Sequence, residues 1–173
     1  YSTPSNSNGK YIEGTIEVTY IYKRLGATPK NPVVTKTGTT EITNSQDKNE
    51  YTITYDAIVE NYKGNITITI VDTLPYELDE TKLNNLDGGI YNSTNKTITW
   101  TETFTNSDAK EKLVIDITKS IQVYYKNIDA SIEKYTNKVS ATLEDDIEGT
   151  PDSIKESTHD TSVNIKGKVI THY

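Results

Sequence analysis

The chain has 173 residues and a formal net charge of −7. No Lys/Arg cluster interrupts that acidity, which argues against a surface built to grip nucleic-acid phosphates. There is no cysteine, so disulfides, thiol catalysis and thiolate metal sites are excluded together. Only 33% of residues are hydrophobic, low for a globular chain, and Thr and 13 Tyr fill the deficit. Those residues suit a half-buried pleated surface. No apolar run is long enough to span a membrane. The chain opens on Tyr1 rather than Met and reads as a segment of a longer protein.

Residues 1–10 read as loop. Thr15 to Lys23 alternates, with Ile16, Val18, Tyr20 and Tyr22 in phase, and is predicted to be a strand. Leu25 to Pro32 carries Gly26, Pro29 and Pro32 and reads as a linker. A series of strand-like runs follows at 33–37, 50–60, 65–72, 96–104, 112–125 and 134–143. Turn signals at 62–65, 74–75, 87–89 and 106–108 separate them. Leu78 to Leu86 reads as a short helical turn, and Asp129 to Glu133 as a loop. Glu144 to Asp160 is acidic and polar, with Gly149 and Pro151, and reads as a second linker. Val163 to Tyr173 is predicted to be a last strand. The pattern implies an all-β chain: an immunoglobulin-like antiparallel β-sandwich with extra flanking β-strands.

Three polar residues stand out against this pattern. Asp72 ends the alternating run Ile66-Thr67-Ile68-Thr69-Ile70-Val71-Asp72, in phase with the isoleucines. Asn137 is in phase with Val139, Ala141 and Leu143. Residues two apart share one face of a strand, so both polar groups are predicted to point into the core. A buried carboxyl needs a partner or must become neutral. Lys36 is the best candidate partner. It lies on a strand with valines on both faces, which leaves both an inward and a solvated direction open.

Residues 33–143 resemble the conserved β-sandwich repeats of Gram-positive surface proteins, and the collagen-adhesin A-type isopeptide domains of such adhesins and pilins. The matching pieces are Val34-Thr35-Lys36-Thr37, Tyr51-Thr52-Ile53-Thr54-Tyr55, Val71-Asp72-Thr73-Leu74-Pro75, Thr97-Ile98-Thr99-Trp100 and Tyr135-Thr136-Asn137-Lys138-Val139. The resemblance implies that Lys36 and Asn137 are joined by an autocatalytic isopeptide bond and that Asp72 assists. The flanks resemble strands of mucin-binding-protein-type repeats. Residues 1–30 would then close a preceding small β repeat, 31–146 would form the sandwich, and 147–173 would hold an acidic linker and the opening strand of a following repeat. Pairing of 14–23 with 163–173 is the alternative.

The function this implies is a structural stalk module of a cell-wall-anchored, extracellular surface adhesin. It would be monomeric, flanked by neighbouring repeats of the same chain, with no cofactor and no resident metal. The alternative is a ligand-binding adhesin module for a host protein or glycan, without the cross-link. No catalytic constellation for turnover is evident, so an enzyme is not expected. Trp100 is expected in the core. Tyr124 and Tyr125 are expected on opposite faces. His159 and His172 are expected to be ordinary strand or surface residues. Glu144, Asp145, Asp146, Glu148 and Asp152 lack calcium-loop spacing and are expected to be solvated.

Overall fold

The computed structural model describes residues 14–166. Its strands are β1 (Pro29–Gly38), β2 (Glu41–Ile42), β3 (Asn49–Val59), β4 (Gly64–Thr73), β5 (Ile90–Asn92), β6 (Thr97–Asn106), β7 (Leu113–Val123), β8 (Lys134–Asp145) and β9 (Ser153–Val163). A three-stranded sheet has the order β1-β3-β7, and a six-stranded sheet the order β2-β9-β8-β4-β6-β5. The fold is the expected all-β, immunoglobulin-like sandwich. Its ladders are antiparallel, apart from the two-residue β2–β9 pairing, which is parallel.

Strict alternation builds the core between the sheets. In β3, Tyr51, Ile53, Tyr55, Ala57 and Val59 are buried while their neighbours are not. In β4, Ile66, Ile68, Ile70 and Asp72 are buried in the same phase. Val139, Ala141 and Leu143 of β8 and Ile115, Ile117, Ile121 and Val123 of β7 complete the layers. Trp100 is buried as expected, and its indole N–H donates to the carbonyls of Leu86 and Asp87 at 2.9 and 3.2 Å. Tyr125 is buried and Tyr124 half-buried, on opposite sides of the chain.

Four expectations need correction. Thr15 to Lys23 forms no strand: Ile16, Val18, Tyr20 and Tyr22 are exposed, and no described ladder includes them. Alternation without a partner strand leaves backbone groups to water, so the pattern alone cannot hold the conformation. The linker read at 25–32 runs into β1, whose edge position tolerates Pro29 and Pro32. A bulge there lets Asn31 adopt φ 48°. The stretch at 78–86 is not helical; Lys82 N–H bonds Asp79 O in a single turn. Leu78 and Asn85 instead bridge to Tyr125 and Gln122.

The largest correction concerns the acidic linker. Its second half is β9, paired with β8 from Lys134↔Ser162 to Leu143↔Ser153. Its first half is also ordered by bonds. Asp145 accepts from the backbone of Ala27 at 2.6 Å and of Ile147 at 2.8 Å. Asp146 accepts from the Tyr62 hydroxyl at 2.6 Å and from Arg24 at 2.9 Å. Residues 164–166 are not strand. The remainder of the strand read at 163–173, and with it His172 and any pairing with 14–23, lies outside the described residues.

Candidate functional site

The site forms where three strands place polar side chains on inward positions. Lys36 is in phase with Val34 on β1, and both are buried, whereas Val33 and Thr35 point outward. That settles the direction that the sequence leaves open. Asp72, near the end of β4, lies opposite Val139 of β8. Asn137 is two residues from Val139 on the same inward face, which makes it the diagonal neighbour of Asp72. Lys36 reaches Asp72 from the facing sheet and lines the same small pocket as Asn137. All three predicted residues are buried.

The Lys36 ammonium contacts Asp72 Oδ1 directly, and both side chains are 0% exposed. The Lys36 Nζ also lies 3.9 Å from the centre of the Tyr51 ring. The Tyr51 hydroxyl donates to Asp72 Oδ2 at 2.5 Å. One carboxylate oxygen is therefore committed to the phenol and the other faces the amine. The Asn137 Nδ2 donates to the Tyr125 hydroxyl at 3.4 Å. Its Oδ1 is buried without a hydrogen-bond partner. Lys36, Tyr51, Tyr125, Tyr135 and Asn137 line a common small pocket that also touches Asn49, Thr39, His159 and Thr161.

Electrostatics push the central pair toward neutrality. Burial lowers the Lys36 pKa to about 8, against the opposing attraction and hydrogen bond of Asp72. Burial raises the Asp72 carboxyl above its ordinary range, against opposing effects of Lys36, Tyr51 and Asn137. Desolvation is the larger effect on each partner, so each disfavours its own charge. The charged form of such a pair recovers little net stability from burial. Moving one proton from Nζ to Oδ1 removes both charges at once and leaves a neutral amine, which is a nucleophile.

Sequence reasoning missed the tyrosines around this triad. Tyr76, Tyr125 and Tyr135 pack together, with Tyr76–Tyr135 and Tyr125–Tyr135 edge-on at 5.5 and 5.8 Å and Tyr76–Tyr125 tilted at 6.0 Å. The Tyr135 hydroxyl donates to Asn49 Oδ1. Tyr51 could have been found, since it shares the phase of Ile53 and Tyr55. Tyr125 could not be placed beside Asn137 without the topology, because 12 residues and a loop separate them. His159 is half-buried, with Nε2 2.8 Å from the Thr39 carbonyl. Among the described residues no group of His or acidic side chains is arranged to hold a metal.

No protein-family model matches the chain, and no curated protein matches it. Among solved structures the chain is similar to the collagen-binding subdomain ACE19 of the Enterococcus faecalis surface protein ACE. The TM-score is 0.37 at 9% identity, covering 77% of this chain and 98% of that one. It is also similar to the collagen-binding domain from a Staphylococcus aureus adhesin, with TM-score 0.36 at 14% identity and coverage of 75% and 96%. A third is AvmM, which catalyses macrocyclization in alchivemycin A biosynthesis, with TM-score 0.33 at 10% identity and coverage of 82% and 93%. At these scores and identities none of the three assigns a function to this chain.

Proposed function

We propose that the chain is an internally cross-linked structural module of an extracellular, cell-wall-anchored surface adhesin, in which an autocatalytic amide bond joins Lys36 to Asn137. The observation that carries this reading is the fully buried Lys36–Asp72 contact, with Asn137 in the same pocket. A lone buried ion pair of this kind stabilises a fold weakly, if at all. As reactants the same groups have a purpose.

The chemistry runs as follows. A proton passes from Lys36 Nζ to Asp72 Oδ1, giving the neutral pair. The amine attacks Asn137 Cγ, and the carboxyl proton of Asp72 polarises the carbonyl oxygen, Oδ1, which otherwise has no partner. The Nζ–Cγ bond forms and the Cγ–Nδ2 bond breaks. Counting that first transfer, Asp72 takes two protons from Nζ and delivers one to Nδ2, so it ends as the neutral carboxyl. The leaving group is ammonia. The fold replaces a turnover catalyst by holding the reactants in contact. The event occurs once per chain and is a maturation step.

The consequence is mechanical. The bond would tie β1 of one sheet to β8 of the other, so a pull on the chain passes through covalent bonds rather than ladder hydrogen bonds. A chain without cysteine has no disulfide to do this. The neighbours in such a stalk would be further repeats of the same protein, and the assembly would present host-binding domains to extracellular protein or glycan.

The test is the intact mass of the purified protein. The wild type should be about 17 Da lighter than its sequence mass, the loss of one ammonia. Lys36→Ala, Asp72→Ala and Asn137→Ala should each have the full sequence mass. A wild type at full mass would refute the cross-link.

A further inference from the structure

Two buried carboxamides each leave one polar atom without a hydrogen-bond partner in the protein: Asn49 its Nδ2 and Asn137 its Oδ1. The two residues are 3% and 4% exposed and line the same small pocket. We propose that this pocket binds one water molecule, which accepts from Asn49 Nδ2, donates to Asn137 Oδ1 and acts as an oxyanion donor in the cross-linking step. The water site does not depend on the isopeptide reading above; its role in the reaction rests on that reading.

Tyrosines orient both carboxamides. The Tyr135 hydroxyl donates to Asn49 Oδ1, and Asn137 Nδ2 donates to the Tyr125 hydroxyl. Each amide is planar, so holding one terminal atom fixes the other. What remains is one donor and one acceptor, the complement of a single water. The pocket admits the centre of a water-sized sphere over about 10 Å³, room for one such molecule. Lys36 also lines it; its ammonium repels a cation, and its charge is already matched by Asp72, so a neutral occupant fits. Meeting both unpaired atoms offsets the entropy of ordering one water.

The proton balance of the cross-linking step is unchanged, because the water keeps both of its hydrogens. A carbonyl oxygen has two acceptor positions, so a water on Oδ1 leaves the other for the Asp72 proton. When Nζ bonds to Cγ, the carbon becomes tetrahedral and negative charge gathers on Oδ1. A donor already in place gains strength as that charge develops, which is the condition for accelerating the step. When the Cγ–Nδ2 bond breaks, Oδ1 becomes the carbonyl oxygen of the new amide and still accepts from the water. The site therefore persists after the reaction. Asn49 acts through the water and is a positioning residue.

The first measurement is a crystal structure of the wild type at a resolution that shows ordered water. One water should lie within hydrogen-bond distance of both Asn49 Nδ2 and the oxygen on Asn137 Cγ, whether or not the new amide has formed. No water there, or an Asn49 Nδ2 bonded to a protein atom, would overturn the proposal. The second measurement follows conversion by intact mass at successive times after a short induction. Asn49→Leu keeps the approximate size and removes the donor. Folded by near-ultraviolet circular dichroism, it should mature on the order of 100-fold more slowly than the wild type, the low end for loss of an oxyanion donor. Should loss of the acceptor for Tyr135 unfold that variant, Asn49→Leu/Tyr135→Phe removes both partners together and should show the same delay. A folded variant that converts as fast as the wild type would overturn the role of the water while leaving the cross-link intact. A wild type at full mass would overturn that role together with the cross-link, and the crystal structure alone would then decide the water site.

Discussion

Lys36 and Asp72 each have a pKa moved against their own charge, and this makes their effect on stability testable. In an uncross-linked protein the amine stays free, as in Asn137→Ala. Burial lowers the folded Lys36 amine to about 8, from an ordinary 10.5. Below pH 8 both states carry the proton, and the folded state bears the cost of the buried charge. As pH rises from 8, the folded form loses its proton first, so stability increases. The window closes near pH 10, where exposed tyrosines of the unfolded chain begin to ionise. Burial holds Tyr55, Tyr62 and Tyr135 at about 12 in the fold, which reverses the slope there. Denaturant midpoints of Asn137→Ala should therefore rise between pH 8 and 9.5. A wild type cross-linked as proposed has an amide in place of the amine and should lack that rise. A second residue-scale expectation concerns Tyr55, whose hydroxyl is buried with no hydrogen-bond partner. A buried unmet donor costs ~1–3 kcal/mol, so Tyr55→Phe should hold or increase stability. A measured loss above ~1 kcal/mol in thermal unfolding would contradict this.

At the scale of elements, register decides whether the triad meets. Gly38 pairs with Tyr51, two residues beyond Lys36. A Cβ there would lie 2.3 Å from the Glu50 carbonyl and 2.6 Å from Tyr51 Cα, both backbone atoms that cannot rotate away. Gly38→Ala should push β1 from β3, lower stability by ~1–3 kcal/mol and leave a measurable fraction of chains at full mass. The strands that carry the triad were legible because each shows apolar alternation, and the polar intruders were found by being in phase with it. The phase of Asp72 and Asn137 needed no structure. That of Lys36 did, since valines occupy both faces of β1. β9 was invisible for the complementary reason. Its partly buried or buried positions are Ser153, Ser157, His159, Thr161 and Val163, so its inner face carries almost no apolar signal. Thr15 to Lys23 shows the reverse error, a clear alternation that joins no described ladder.

For the whole molecule, the segment preceding β1 ties distant parts of the chain together, and the proposed cross-link would do the same. Arg24 lies over the Tyr62 ring at 5.4 Å, pairs with Asp146 and donates to the Lys63 carbonyl, while Ala27 N–H bonds Asp145. The entry segment is thus docked on the β8–β9 connection. Asp145→Ala should speed amide hydrogen exchange at Ala27 without changing the mass deficit. Closing a loop of about 100 residues removes unfolded-state entropy worth ~4–5 kcal/mol on the disulfide scale. Typical domains have ~5–15 kcal/mol in total. Asn137→Ala should accordingly melt well below the wild type in calorimetry. The most direct measurement is peptide mapping of the wild type by tandem mass spectrometry. The expected result is one branched peptide containing both Lys36 and Asn137, with a mass equal to the two linear peptides less one ammonia. Recovery of the two peptides separately, each at its sequence mass, would contradict the account.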